Sequence, residues 1–138
     1  MNVAIVFDSH SGTTARAARA MAQAFTNNGH SCFVAPVHDA IPEEIAQAQL
    51  ICLGSWTQGL LLFGQHPTQA TMSFVERLGD LAGKQAVVFC TYKIATGSTL
   101  PQMASALEQR GAQVKGHFKF RGPQPTGDFR AFVKGLPA

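Results

Sequence analysis

The sequence predicts a doubly wound α/β sandwich built on a parallel sheet, and three observations carry that expectation. Strand-like apolar runs alternate with stretches of helical spacing from one end to the other. Three of the runs are almost continuously apolar, as strands buried on both faces of a parallel sheet must be. No linker or internal repeat interrupts the alternation, so residues 1–138 read as a single domain with right-handed crossovers.

Five strands are expected, at Val3–Phe7, Ser31–Val37, Leu50–Ser55, Gln85–Tyr92 and Val114–Phe120. The first, third and fourth are the apolar runs. In the fifth, "HFKF" alternates polar and apolar residues, as an edge strand with one wet face does. Between the first two strands, Ala15, Ala18, Met21 and Phe25 recur three or four apart, with Arg16, Arg19 and Gln23 opposite, until Asn28-Gly29 stops the helix. Pro42-Glu43-Glu44 opens a short helix. Met72, Val75 and Leu78 form the next stripe, ended by Gly83. Leu100, Met103 and Leu107 form another, with Pro101 in its first turn and Gly111 at its close. Phe129–Leu136 makes the last helix.

Composition narrows the function classes. With 46% apolar and 14% charged residues, the chain is globular rather than disordered. Its longest apolar stretches fall well short of the roughly 20 residues that span a bilayer. "MNVAIVF" runs straight into the first strand without a signal-like layout, so no membrane insertion is expected. Cys32, Cys52 and Cys90 show neither CxxC nor Cys/His spacing, which argues against a disulfide framework or a zinc site and fits buried thiols in a reducing, cytoplasmic setting. The net charge of +3 is uneven: residues 1–69 hold two Arg against four Asp and Glu, residues 70–138 nine Lys and Arg against four. A basic half suits an acidic protein partner or nucleic acid. Aromatics interleave with basic residues only in "HFKFRG", so the solvated face of an edge strand is the expected origin of the charge, and no nucleic-acid role is expected.

Ligands of such sheets sit outside the carboxyl ends of the strands, which directs attention to three loops. After the first strand, "DSHSGTT" crowds Ser9, Ser11, Thr13 and Thr14 around Gly12 at a helix N-terminus, with His10 among them. Unpaired N–H groups, a glycine that permits close approach and four hydroxyls make an anion cradle without Lys or Arg. A helix cap by Ser11 or Thr13 is the plainer reading, although it needs only one hydroxyl. After the third strand, "GSWTQG" (residues 54–59) offers Ser55, Trp56, Thr57 and Gly59. The indole there either stacks on a flat ring or lies over the sheet end as a lid. After the fourth, "TYKIATGS" (residues 91–98) brings Thr91, Tyr92, Lys93 and Gly97. Its backbone can read a ring edge, and Tyr92 or Ile94 can touch the ring; Tyr92 turned into the core is the alternative.

With these residues on the page, the chain resembles a flavodoxin over nearly its whole length. "VFDSHSGTT" is similar to the family's FMN-phosphate loop, Ser/Thr-x-Ser/Thr-Gly-x-Thr, with Ser9, Ser11, Gly12 and Thr14 at its marked places and His10 and Thr13 at its variable ones. "LICLGSWTQG" resembles the third-strand loop, where an aromatic commonly packs on the isoalloxazine. "AVVFCTY" through "LEQRGAQV" resembles the fourth strand, second flavin loop and following helix. The resemblance implies a five-stranded parallel sheet in order 2-1-3-4-5, in the short form with the fifth strand uninterrupted. It implies non-covalent FMN at the three loops, and electron transfer between redox partner proteins such as a reductase or an oxidase.

Three departures stand out. The chain is basic where typical flavodoxins are acidic, and Lys93 stands where many carry an acid. Leu60, Leu61, Leu62 and Phe63 form an apolar run where polar residues are usual. If exposed, that run is a docking patch for a redox partner or for a second copy in a homodimer; burial under the following helix is the other reading. Two further functions compete with the carrier. One is an FMN oxidoreductase acting directly on a quinone or porphyrin-like substrate, walled by Trp56, Phe63 and His66. The other is a flavin-free regulatory or binding module. No catalytic residue and no metal ligand is assigned. Rival sheets of this class lack their chemistry here: "GSWT" has no phosphoacceptor Asp, the first loop has no Cys-x5-Arg, and neither G-x-x-x-x-G-K-[ST] nor G-x-G-x-x-G occurs.

Overall fold

Alternate residues of each central strand face opposite helical layers, and this explains the unbroken apolar runs. A computed structural model describes residues 1–60, 63–93 and 95–137, the surroundings of Gly59 and the side chains of Leu60 and Phe63 excepted. The strands are β1 (Asn2–Asp8), β2 (Ser31–Pro36), β3 (Leu50–Trp56), β4 (Gln58–Leu60), β5 (Phe63–His66), β6 (Gln85–Thr91) and β7 (Gln113–Phe120). The helices are α1 (Thr13–Asn27), α2 (Pro42–Ile45), α3 (Gln69–Arg77), α4 (Thr99–Gln109) and α5 (Gly127–Lys134). The main sheet runs β2-β1-β3-β6-β7, with every neighbouring pair parallel. Numbered by the five expected strands, that is the order 2-1-3-4-5.

On β1, Ala4 and Val6 face α3 and α4, packing among Phe74, Val75, Met103 and Leu107, whereas Val3, Ile5 and Phe7 face α1 and α5. The second layer is aromatic: Phe129 of α5 packs edge-on against Phe25 and Phe118, ring centres 5.6 and 5.3 Å apart. Alanines 17, 18 and 24 on α1 let that helix approach the sheet closely. The last helix begins at Gly127, two residues before its expected start, and ends before Leu136.

The antiparallel ribbon β4–β5 was not expected. It stands where the apolar run 60–63 left only two alternatives, docking patch or burial. The proposed docking residues Leu61 and Leu62, and the side chains of Leu60 and Phe63, lie outside the described residues. No described helix is long and apolar enough to cross a membrane.

His30 is buried, packs edge-on against Phe25 and accepts a hydrogen bond at Nδ1 from the Met1 amine, 3.0 Å away. Burial first, and the Met1 charge second, hold its pKa below the usual 6.5. The folded state therefore resists a proton that the unfolded chain accepts. Stability is full above pH 6.5 and declines as the pH falls from there towards the lower folded value. Thermal melts between pH 7.5 and 5 are expected to show this decline, and His30→Gln to flatten it.

Candidate functional site

Register brings the three loops together. Asp8 lies opposite Ser55, Trp56 opposite Thr91, and Thr91 opposite Phe120, so β1, β3, β6 and β7 end at one level. At that edge opens a cleft of about 610 Å³, within the range of small-molecule sites.

Its first wall is the loop into α1. Gly12 adopts φ 91°, a left-handed conformation open to glycine, and the helix starts at the next residue without a side-chain cap. Neither Ser11 nor Thr13 therefore serves as the N-cap that the plainer reading of this loop required. Their hydroxyl oxygens lie 3.5 Å from each other, and both residues line the cleft beside His10. The backbone amides of residues 10 to 14 have no hydrogen-bond partner among the described residues. Such consecutive amides around a left-handed turn form an anion-binding concavity. Ser9 stands behind it, its Oγ accepting from the Ala15 amide at 3.2 Å. Thr14 is buried at the base, its hydroxyl 2.5 Å from that of Thr91.

The β3 end contributes Trp56, half-buried, its ring centre 4.9 Å from that of His10. Thr57 follows it into the cleft. Burial pushes the Cys90 thiol up to about 11, against smaller opposing effects of Thr57 and then Lys119. Apart from that weak thiol contact, Thr57 Oγ1 is buried with no hydrogen-bond partner among the described residues. Ser55 does not line the cleft. Its hydroxyl donates to Trp56 O at 2.7 Å and accepts from the Thr68 amide at 3.0 Å, tying β3 to the start of α3.

The third loop supplies Tyr92, half-buried at the cleft rather than in the core, and exposed Lys93. Gly97 lies off the cleft: a Cβ there would meet Gln65 Cβ at 2.8 Å. Gly12 does not line it either, and the surroundings of Gly59, together with Ile94, lie outside the described residues. His66 is exposed, donates through Nδ1 to Pro67 O and does not line the cleft, so the substrate wall expected from it is absent.

Sequence reasoning missed Gln65, Ala95, Arg121, Gly122 and Pro123, all of which line the cleft. Gln65 comes from the unforeseen ribbon. Arg121 follows β7, its Nε donating to Lys93 O at 3.4 Å. The only sequence signal for it was "FRGPQP", a turn-rich exit from the fifth strand at the edge where ligands bind. Lys93 and Arg121 give the rim positive charge, and no Asp or Glu is among the described lining residues.

No family model matches the sequence, and no curated protein matches it. Solved structures do match. The solution structure of two-electron reduced Megasphaera elsdenii flavodoxin superposes with a TM-score of 0.83 at 21% identity, over 96% of each chain. Fusobacterium nucleatum flavodoxin bound to flavin mononucleotide gives 0.67 at 15% identity, over 83% of this chain and 68% of that one. Rubredoxin oxygen:oxidoreductase from Desulfovibrio gigas gives 0.76 at 19%, over 96% of this chain but 33% of the longer one. By strand order and by these superpositions, the chain has the flavodoxin-like fold.

Proposed function

We propose that this cleft binds FMN and that the chain carries electrons between redox partner proteins. The observation that carries the reading is the run of unpartnered amides at residues 10 to 14, of which His10, Ser11, Thr13 and Thr14 line the same cleft as Trp56 and Tyr92. The residues fit the cofactor at both ends. Amides and neutral hydroxyls without a Lys or Arg suit a terminal monophosphate better than a triphosphate with its metal. Trp56 and Tyr92 offer aromatic surface to a flat ring, and Thr57 Oγ1 is a buried polar atom with only the weak Cys90 thiol contact among the described residues. The flavodoxin-like fold and the flavin mononucleotide named for a structural neighbour support the same reading.

FMN, when bound, supplies one- and two-electron redox chemistry. The chain's own part is to hold the phosphate on the residue 10–14 amides, exclude water with Trp56 and Tyr92, and set the electrostatic field. Lys93 and Arg121 act on that field in a defined direction, since positive charge favours the negatively charged reduced form. Lys93→Glu is expected to lower the reduction potential of the FMN-loaded protein by roughly 50–100 mV, the scale of reversing one charge several ångströms away in a partly wet site. Spectroelectrochemical titration checks this, and an unchanged potential removes Lys93 from the role.

The reading itself is tested by adding FMN to the purified chain. The single Trp lies in the cleft, so its fluorescence reports the site directly. FMN should quench Trp56 and yield a yellow complex that survives desalting, while riboflavin, lacking the phosphate, binds more weakly. Failure to bind either flavin would favour the flavin-free module.

A further inference from the structure

Four cations line one margin of the molecule without a carboxylate between them. Lys115 and Lys119 are exposed on the edge strand β7, with exposed His117 between them; Arg121 and Lys93 are exposed where the strands end at the cleft. From residue 81 to residue 127 the sequence has one acid, Glu108, against Lys84, Lys93, Arg110, Lys115, Lys119 and Arg121. Glu108 sits near the end of α4 that leads into the start of β7, away from the cleft. The ion pair seen among the described residues joins His38 to Asp39, far along the chain from this margin. Lysines on an edge strand discourage strand-to-strand pairing, which accounts for Lys115 and Lys119. It does not account for Lys93 and Arg121, which lie beyond the strand ends and are linked by the Arg121–Lys93 hydrogen bond.

We propose that this strip, from Lys115 through Lys119 to Arg121 and Lys93, is the docking surface for an acidic protein and delivers that partner to the mouth of the cleft. A protein partner fits better than nucleic acid. The aromatics interleaved with these cations, Phe118 and Phe120, are buried in the core and offer no ring for bases to stack on. Complementary charge steers such encounters and sets their rate and register. The electron-transfer reading supplies the purpose of the docking; the binding itself does not require FMN.

The test is an NMR titration of the isotope-labelled full chain at low salt. The probes are poly-L-glutamate and a thymidine oligonucleotide of equal charge, applied to the parent chain and to K115E/K119E, whose altered residues do not line the cleft. The expected result is poly-glutamate shifts confined to residues 93 and 113–121, about tenfold weaker binding by K115E/K119E, and weaker binding of the oligonucleotide. Lys119→Gln should fall between parent and double variant, and FMN affinity should be the same in parent and variants. Shifts centred on Arg16 and Arg19, equal affinity in the double variant, or preference for the oligonucleotide would overturn the proposal. If the chain binds no FMN while the poly-glutamate result holds, the cofactor reading falls and the docking strip stands.

Discussion

A Thr13→Asp variant is expected to fold at least as stably as the parent yet bind FMN about 100- to 1,000-fold more weakly. Thr13 is the first residue of α1, and no acid occupies that helix's first turn. A carboxylate there meets the positive end of the helix and unpartnered amides, worth about 0.3–1 kcal/mol to the fold. Inside the cleft the same carboxylate stands where the phosphate is proposed to sit, so repulsion between like charges opposes the ligand. Riboflavin has no phosphate and should lose little. Fluorescence titrations of Trp56 with FMN and riboflavin, beside a thermal melt, separate the outcomes. If both flavins weaken equally, the residue 10–14 loop is not a phosphate cradle; if the melt also collapses, the loop serves the fold instead.

The contrast between the two ends of the cleft shows what a single sequence reveals. The parallel sheet was legible because Val3–Phe7, Leu50–Ser55 and Gln85–Tyr92 are apolar at nearly every successive position, the pattern of strands buried on both faces. The first loop was legible because hydroxyls around a glycine between strand and helix have local chemistry. Gln65 and Arg121 carry no such signal. They reach the cleft through the β4–β5 ribbon and through the pairing of β7 with β6, and each looks like an ordinary polar residue within its own segment. Ser55 misled in the opposite way. A serine beside the only tryptophan looks like a ligand donor, but its alternation along β3 points it inward, where Thr68 takes its hydroxyl. Tyr92 could not be placed from sequence because one residue of strand length decides between core and cleft.

Gly54→Ala is expected to destabilise the protein by about 3 kcal/mol or more, lowering the melting temperature by roughly 10 °C. By sequence, Gly54 belongs both to the third strand and to the loop "GSWTQG" that follows it. Its place in β3 sets its task. A Cβ at residue 54 would lie 2.1 Å from Cζ of Phe89, directly opposite on β6, and 2.3 and 2.4 Å from that ring's Cε atoms. The ring has little room to retreat. It packs against Phe120, centres 6.1 Å apart, and Phe120 packs against Phe129 of α5 at 6.0 Å. The added methyl must therefore push an aromatic layer rather than one side chain. A Phe89→Leu change should cost stability alone yet lose much of that cost beside Gly54→Ala, a non-additivity expected of groups in contact. Urea denaturation of the three variants measures it. A loop glycine would behave otherwise, with Gly54→Ala within about 0.5 kcal/mol of the parent and only FMN affinity altered. The expected collapse would place Gly54 in the packing of the aromatic core layer rather than among the groups that touch the ligand.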